Sequence, residues 1–450
     1  MWYLKGIVKV RFESTESHHY LIRVTPGINW EIEMKKMTLR AILATTALAA
    51  VAPAYAEEIT IYSWRIQELD MWKHISDAGL IDGVTINYLG LDGDTYETKL
   101  RTDLQSGGPD IFQGRAGAAW LASFIDSGVV APLDSSVDVS GIAAAALAAG
   151  QGADGQQYGV PFAIQMESII YNKGVFAANN IAVPTTMDEF NTAADALKAA
   201  GVTPISFGGR SGWWLNQVVG ETMTAGMVSD ETAGKLVSGE ACFTDPEFVA
   251  TMEAVKSWQD AGYMNGAPLA DDYGAMRTAV ALGEAAMMID GVWSSGPTSP
   301  LYEIDPELEL GFMPVPGPNG KVYAFGDGSY LGNANSEHAD AVNKVLAYTA
   351  TAEFAQLFAD MVGELPAYGG AYEIEDARLA LVAGMIADNS SAQTPFFAYA
   401  LNSGTPSYGQ LVADGYQELL NGDTTPAETA QKIQDGLNSW GYVGAAHCGG

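Results

Sequence analysis

Two segments in which apolar and polar residues alternate, EEITIYSW at residues 57–64 and VTINYL at 84–89, flank a stretch where Leu69, Trp72 and Ile75 recur at three-residue steps. Alternation with period two marks a strand with one buried face, and recurrence every three or four residues marks an amphipathic helix. The same order continues downstream. Residues 96–105 read as a helix stopped by Gly107-Gly108-Pro109, residues 110–112 as a short strand, and residues 116–127 as a helix. In that last helix Trp120, Leu121, Phe124 and Ile125 share a face, and Gly128 closes it. Strands separated by helices are joined by crossovers, so this order predicts an α/β fold on a parallel sheet.

The punctuation persists through the chain. Thr186-Met187-Asp188-Glu189 has the spacing of a capping box before an Ala-rich helix that ends at Gly201. Asp245-Pro246 places a cap and a proline at the first helical position, and Phe248, Met252, Val255 and Trp258 form the buried stripe that follows. Residues 285–289 read as a buried strand, and residues 337–348 and 352–361 as two further helices. No segment repeats, and no linker divides the chain into independent modules. A length of 450 residues therefore implies two or three domains or one two-lobed unit.

Residues 34–56, MKKMTLRAILATTALAAVAPAYA, give the compartment. Lys35, Lys36 and Arg40 form a positive start, residues 41–52 a short apolar run, and Ala54-Tyr55-Ala56 a small-x-small cleavage site. This is the pattern of a secretory signal peptide, and it predicts a mature start at Glu57 and a periplasmic protein. Residues 1–33 precede it without usable periodicity and read as an over-extended start, with initiation at Met34 or Met37. Export places Cys242 and Cys448 in an oxidising compartment, where two thiols are expected to pair.

Composition excludes several classes of partner. The chain carries 54 acidic against 22 basic residues, a formal net charge of −32. Such a surface repels nucleic-acid phosphate and anionic lipid. There is no H-E-x-x-H, no Cys/His cluster at zinc spacing, no Walker phosphate loop and no G-x-S-x-G. Asp92-Gly93-Asp94 begins like a calcium loop but lacks the later ligands. No cofactor, metal or catalytic residue is indicated. What remains are polar and aromatic residues at strand ends and loop tips, where open α/β sheets bind ligands. These are Trp64, Asp110, Gln113, Arg115, Gln165, Glu167, Trp213, Trp214, Asp290, Trp293 and Asp327.

The ordered segments GGPDIFQGRAGAAWLASFIDSGVVAPLD, YGVPFAIQMESIIYNKGVF, VPTTMDEF, SWQDAGYMNG, GEAAMMIDGVWSSG and AFGDGSYLGNANSEHADAVNKVLAYTATAEFAQLFAD resemble the extracellular sugar-binding proteins of ABC importers, the group that includes maltose-binding proteins. The resemblance implies a periplasmic-binding-protein-like α/β fold, with two lobes joined by hinge crossovers and a ligand cleft between them. By that analogy the chain crosses near residues 166–168, 325–329 and 365–368. One lobe then comprises residues 57–166 and 329–366, the other 167–328 and 367–450. The implied function is capture of a mono- or oligosaccharide and its delivery to a membrane permease by a monomer that catalyses nothing.

A sugar presents hydroxyls that need donors and acceptors and a flat C–H face that suits an aromatic ring. Asp327 and Arg115 are the leading polar candidates, with a structural cap or a lobe-closing ion pair as the competing reading. Gln113, Gln165, Glu167 and Asp290 follow. Trp64 and Trp293 suit either a cleft or a core. Tyr368 and Glu364, by the third crossing, suit ligand contact or hinge packing. Trp213 and Trp214 follow a Gly-rich turn; one is expected in the cleft and the other in the core, with Trp213 favoured for the cleft. The same fold binding a polyol, glycerol phosphate or polyamine, or a periplasmic carbohydrate enzyme, are the competing functions.

Overall fold

A computed structural model describes residues 56–91, 93–390 and 400–449. The extension at 1–33, all but the last residue of the expected leader, and Asp92 lie outside them. The described chain contains two sheets. The first orders β2 (Val84–Gly90), β1 (Glu57–Ser63), β3 (Ile111–Arg115), β10 (Gly328–Gly332) and β4 (Gly159–Pro161). The second is built on β5 (Ala163–Asn172), with β11 (Leu365–Pro366), β7 (Ala285–Gly291) and β6 (Thr203–Ser206) in the order β11-β5-β7-β6, and with β8 (Leu310–Met313) and β9 (Tyr323–Gly326) also paired to β5.

The parallel pairs expected at the start are present: β1 runs parallel to β2 and to β3. The sheets as wholes are mixed, which corrects the all-parallel expectation. In the first, β10 inserts antiparallel between β3 and β4. In the second, only β6 and β7 are parallel. β10 enters directly from the other sheet without a helical crossover, so it can adopt the opposite direction.

The burial of each strand follows its position. β1 alternates buried and half-buried residues, whereas β7, AAMMIDG, is buried at all seven positions, as expected for a strand covered on both faces. The helical stretch after β1 begins as a 3₁₀ turn (Ile66–Glu68) and becomes α-helical at Leu69–Ala78. Gly79, in the left-handed conformation, ends it. The Thr186 cap forms, but Glu189 reaches back to the backbone of Thr185 rather than of Thr186.

Two faces of the first sheet are packed. One core gathers Ile59, Ile61, Trp72, Val160, Tyr330, Leu346 and Phe354, and the other Tyr96, Phe112, Phe124 and Leu331. The second sheet has a larger core that includes Ile169, Phe190, Trp214, Trp258, Met288 and the helices Tyr408–Asn421 and Pro426–Asn438. Ile164 packs against both cores. The chain passes between sheets at Phe162 and at Asp327, and Leu365–Pro366 joins the second sheet. A lobe boundary between residues 166 and 167 would cut through β5, a single unbroken strand. The apolar run around its polar residues lets β5 continue without interruption.

Cys242 and Cys448 are joined, across 206 residues. The bond ties the C-terminal turn onto the second sheet's core. Closing a loop of that length removes on the order of 5 kcal/mol of denatured-state entropy in the chain-entropy account. No helix among the described residues is long and apolar enough to cross a membrane.

Candidate functional site

In an open α/β sheet the strand ends leave backbone and side-chain groups without sheet partners, and the carboxyl ends of parallel strands form a rim. On the first sheet, β1 and β3 end together. Ser63 Oγ bonds Gln113 across them, and β1 continues into Trp64 and Arg65. Arg115, the last residue of β3, pairs with Gly328 at the start of β10, which brings Asp327 to the same rim. Gly328 is required there, because a Cβ would sit 2.3 Å from the Gly114 carbonyl.

The Arg115 guanidinium lies 4.5 Å from the Trp64 ring centroid, with Glu97 Oε1 3.3 Å from its Nε. Trp64 is half-buried and meets Tyr96 and Phe162 edge-on. Asp327 is 18% exposed and accepts from Arg65 Nη1 at 2.9 Å and from Gln165 Nε2 at 3.2 Å. Burial raises its pKa above the ordinary aspartate value, against the opposing pull of Arg65.

The second sheet presents a different rim at the ends of β6 and β7. Asp290, fully buried, accepts from Tyr273 Oη at 3.1 and 3.2 Å, from Ser294 Oγ at 2.5 Å and from the Gly291 amide at 2.8 Å. Burial pushes its carboxyl up to about 6, although Arg277 and these donors favour the charged form. Tyr273 also accepts from Trp293 Nε1 at 2.6 Å and from Arg277 Nη1 at 3.1 Å. Trp213, 43% exposed, meets the Tyr273 ring edge-on at 4.8 Å. The Trp293 ring lies over Gly291, where a Cβ would fall 2.0 Å from it.

β5 connects the two rims. Gln165 reaches Asp327 at the first, and Ser168 is paired with Asp290 at the second. Three residue steps along the strand separate them, a span of about 10 Å. Between them Glu167 is buried, and among the described residues its Oε2 has no hydrogen-bond partner. Burial, with Glu221, Asp290 and Asp327 nearby, raises its pKa well above the usual carboxylate range.

The structure brings Trp64, Arg115, Gln165 and Asp327 to one rim and Trp213, Asp290 and Trp293 to the other. Several expected residues have different roles. Asp110 lies at the opposite end of β3, where it caps the Thr60 amide at 2.9 Å and accepts from Ser336 Oγ at 2.6 Å. It immediately precedes the strand whose last residue is Arg115, so about 15 Å of extended backbone separates it from the rim. Gln113 is fully buried, with its amide spent on Ser63 and on Glu68 at 2.8 Å. Trp214 has no exposed surface; it meets Phe207 edge-on and donates its indole N–H to the Ile289 carbonyl at 2.9 Å. Tyr368 pairs its backbone with Ile142 and lays its ring on Gly141. Sequence reasoning missed Arg65, Tyr273 and Arg277. Arg65 carries a signal in retrospect: it is a cation directly after the tryptophan that ends β1.

The family described as bacterial extracellular solute-binding protein matches residues 82–356. A multiple sugar-binding protein of Streptococcus mutans is 25% identical over 287 residues, which is 59% of this chain and 66% of that protein's length. Among solved structures, a chitin oligosaccharide binding protein superposes with a TM-score of 0.71 at 23% identity, covering 86% of this chain and 99% of the other. The raffinose complex of RafE gives 0.67 at 19% identity, covering 85% and 99%.

Proposed function

Because the chain belongs to the bacterial extracellular solute-binding protein family, we propose that it captures a sugar in the cleft between its two α/β lobes and delivers it to the membrane permease of an ABC importer. It is a binding protein and not an enzyme. The observation that carries the sugar reading is the placement, along one strand, of two rims that each combine tryptophan with a carboxylate. Trp64, Arg115 and Asp327 serve one side. Trp213, Trp293 and the Tyr273–Asp290 pair serve the other. Aromatic faces suit pyranose C–H faces, and carboxylates and guanidinium suit hydroxyls. Relatives named for multiple sugars, chitin oligosaccharide and raffinose support the same class.

The first lobe comprises residues 57–162, 328–364 and the helices that cover its sheet; the second comprises 163–327 and the remainder. Closure is a rotation about the crossings at Phe162, Asp327 and Glu364–Pro366. The protein acts as a monomer in the periplasm after loss of residues up to Ala56. A cationic cargo such as a polyamine is disfavoured, because the Trp64 ring is already occupied by the Arg115 cation.

A thermal-shift screen of the protein starting at Glu57, over mono-, di- and trisaccharides, polyols, glycerol phosphates and polyamines, tests this. Stabilisation grows with the logarithm of ligand over Kd, reaching about 2.7 kcal/mol at one hundred times Kd. Stabilisation by a saccharide without turnover is expected. Stabilisation by a polyamine alone, or consumption of the sugar, sinks the reading.

A further inference from the structure

The cleft reading leaves one buried cation unexplained. Arg65 is 3% exposed, yet it lies two residues past the end of β1, at the rim. Its Nε bonds Glu68, its Nη1 bonds Asp327 Oδ2 at 2.9 Å, and its Nη2 bonds Glu364 Oε2 at 2.6 Å. Its guanidinium carbon lies 4.9 Å from the Phe162 ring centroid and 5.8 Å from that of Phe358.

These partners are not a random set. Phe162 is the junction of β4 with β5, Asp327 the junction of β9 with β10, and Glu364 the residue before β11. One side chain therefore touches all three passages between the sheets. Gln165, on β5, donates to both Asp327 and Glu364 and closes the circuit.

On its other side the cation is anchored to the first lobe. Glu68 Oε2 accepts from Gln113 Nε2 at 2.8 Å, Tyr330 Oη at 2.6 Å and Trp72 Nε1 at 3.3 Å, all from groups buried around the first sheet. Burial alone would lower the Arg65 pKa; the carboxylates of Glu364, Glu68 and Asp327 reverse this and hold it charged. Asp327 is the exposed member of the group. Its bonds from Arg65 and Gln165 both land on Oδ2, and among the described residues none falls on Oδ1.

We propose that Arg65 is the positioning residue of the cleft: it fixes the three crossings relative to the first lobe and aims Asp327, so that ligand capture at Asp327 is coupled through it to lobe closure. A rotation about the crossings turns the second lobe about Asp327 and Glu364, the points that Arg65 ties to Glu68 of the first lobe. The guanidinium fork, with its fixed donor directions, favours particular arrangements of the three carboxylates over a continuum. This rests on the cleft reading for its ligand, but not for its hinge.

The test uses Arg65→Lys in the chain starting at Glu57. Lysine keeps the charge and loses the fork. Two readouts separate a positioning role from a structural one. Small-angle scattering of the ligand-free protein should show a changed radius of gyration relative to the parent. The compaction that the parent shows on adding the saccharide most stabilising in the thermal screen should be diminished. Calorimetric Kd for that saccharide should weaken about 30-fold. In an Asp327→Asn background the same Arg65→Lys change should cost much less, because Arg65 acts through Asp327.

A lowered melting temperature with unchanged scattering and unchanged Kd would overturn the proposal and leave Arg65 a structural ion pair. Equal cost in both backgrounds would overturn the coupling through Asp327. Should no saccharide bind the parent while Arg65→Lys still changes the ligand-free scattering, the sugar reading fails and the hinge role stands. If Arg65→Lys does not fold, Glu364→Gln keeps the shape and removes one carboxylate. It should shift scattering and Kd in the same direction by about 5-fold in affinity; parent-like values in both would refute the proposal.

Discussion

The two rims differ in how they keep charge out of water. The first is crowded with formal charge: Arg65 faces Glu68, Asp327 and Glu364, and Arg115 lies over Trp64. The second holds Asp290 buried among hydroxyls and an amide, with Arg277 hydrogen-bonded to Tyr273 and Ser294. Burying charges without partners costs several kcal/mol each, so a rim either pairs them closely or shifts their pKa. The first rim pairs its charges closely, although burial still raises Asp327, and the second shifts the pKa of Asp290. The charged rim is the one the hinge passes through. The aromatic rim carries Trp213, which is exposed. On the proposed reading, control of shape falls mainly to the charged rim, and both rims offer a tryptophan to the ligand.

The largest effect that would break this division concerns Trp214. It is placed in the second core, so Trp214→Ala should lower unfolding free energy by about 3–5 kcal/mol in urea melts. A variant as stable as the parent would mean that the core boundary lies elsewhere.

Next in size is the pH dependence of Asp290. Its folded pKa of about 6 exceeds the unfolded value near 4, so its contribution is fully present below pH 4 and is lost as pH rises through 6. A shift of about two units corresponds to roughly 3 kcal/mol. Asp290→Asn should therefore gain stability relative to the parent on going from pH 4 to pH 7, by up to that amount. A difference flat in pH would show that Asp290 is not held in an uncharged environment.

Trp213→Ala sharpens the assignment of stacking. With the side chain largely outside the core, stability should change little. Affinity for the stabilising saccharide should fall about 30-fold, near 2 kcal/mol, by titration calorimetry. Parent-like binding would return stacking to Trp64 or Trp293.

The smallest effect is expected at the far end of β3. Asp110→Ala should cost about 1–2 kcal/mol of stability through the lost bonds to Thr60 and Ser336. Sugar affinity should stay at the parent value, and a parallel drop in affinity would bring Asp110 back into the site.

Much of the fold was legible in the residues. Period-two alternation at 57–64 and 84–89 marked β1 and β2, and the stripes around Trp72, Phe124 and Trp258 marked helices that do bury those faces. The even cysteine count, with the export expected from residues 34–56, pointed to the bond that joins Cys242 to Cys448. Short strands with no alternation, such as β8 and β11, left no such mark, because two to four buried residues carry no measurable period.

Local pattern by itself determined where strands and helices occur, which face of each is apolar, and that polar and aromatic residues gather at strand ends. It determined this because secondary structure imposes its period on neighbouring residues. Only the tertiary structure decided which end of β3 faces the rim, which of two adjacent tryptophans is buried, and that Arg65 meets Asp327 and Glu364 across 262 and 299 positions of chain. Such contacts are set by strand order and register, which depend on the packing of the whole sheet; no stretch of sequence around Arg65 encodes the two carboxylates that hold it.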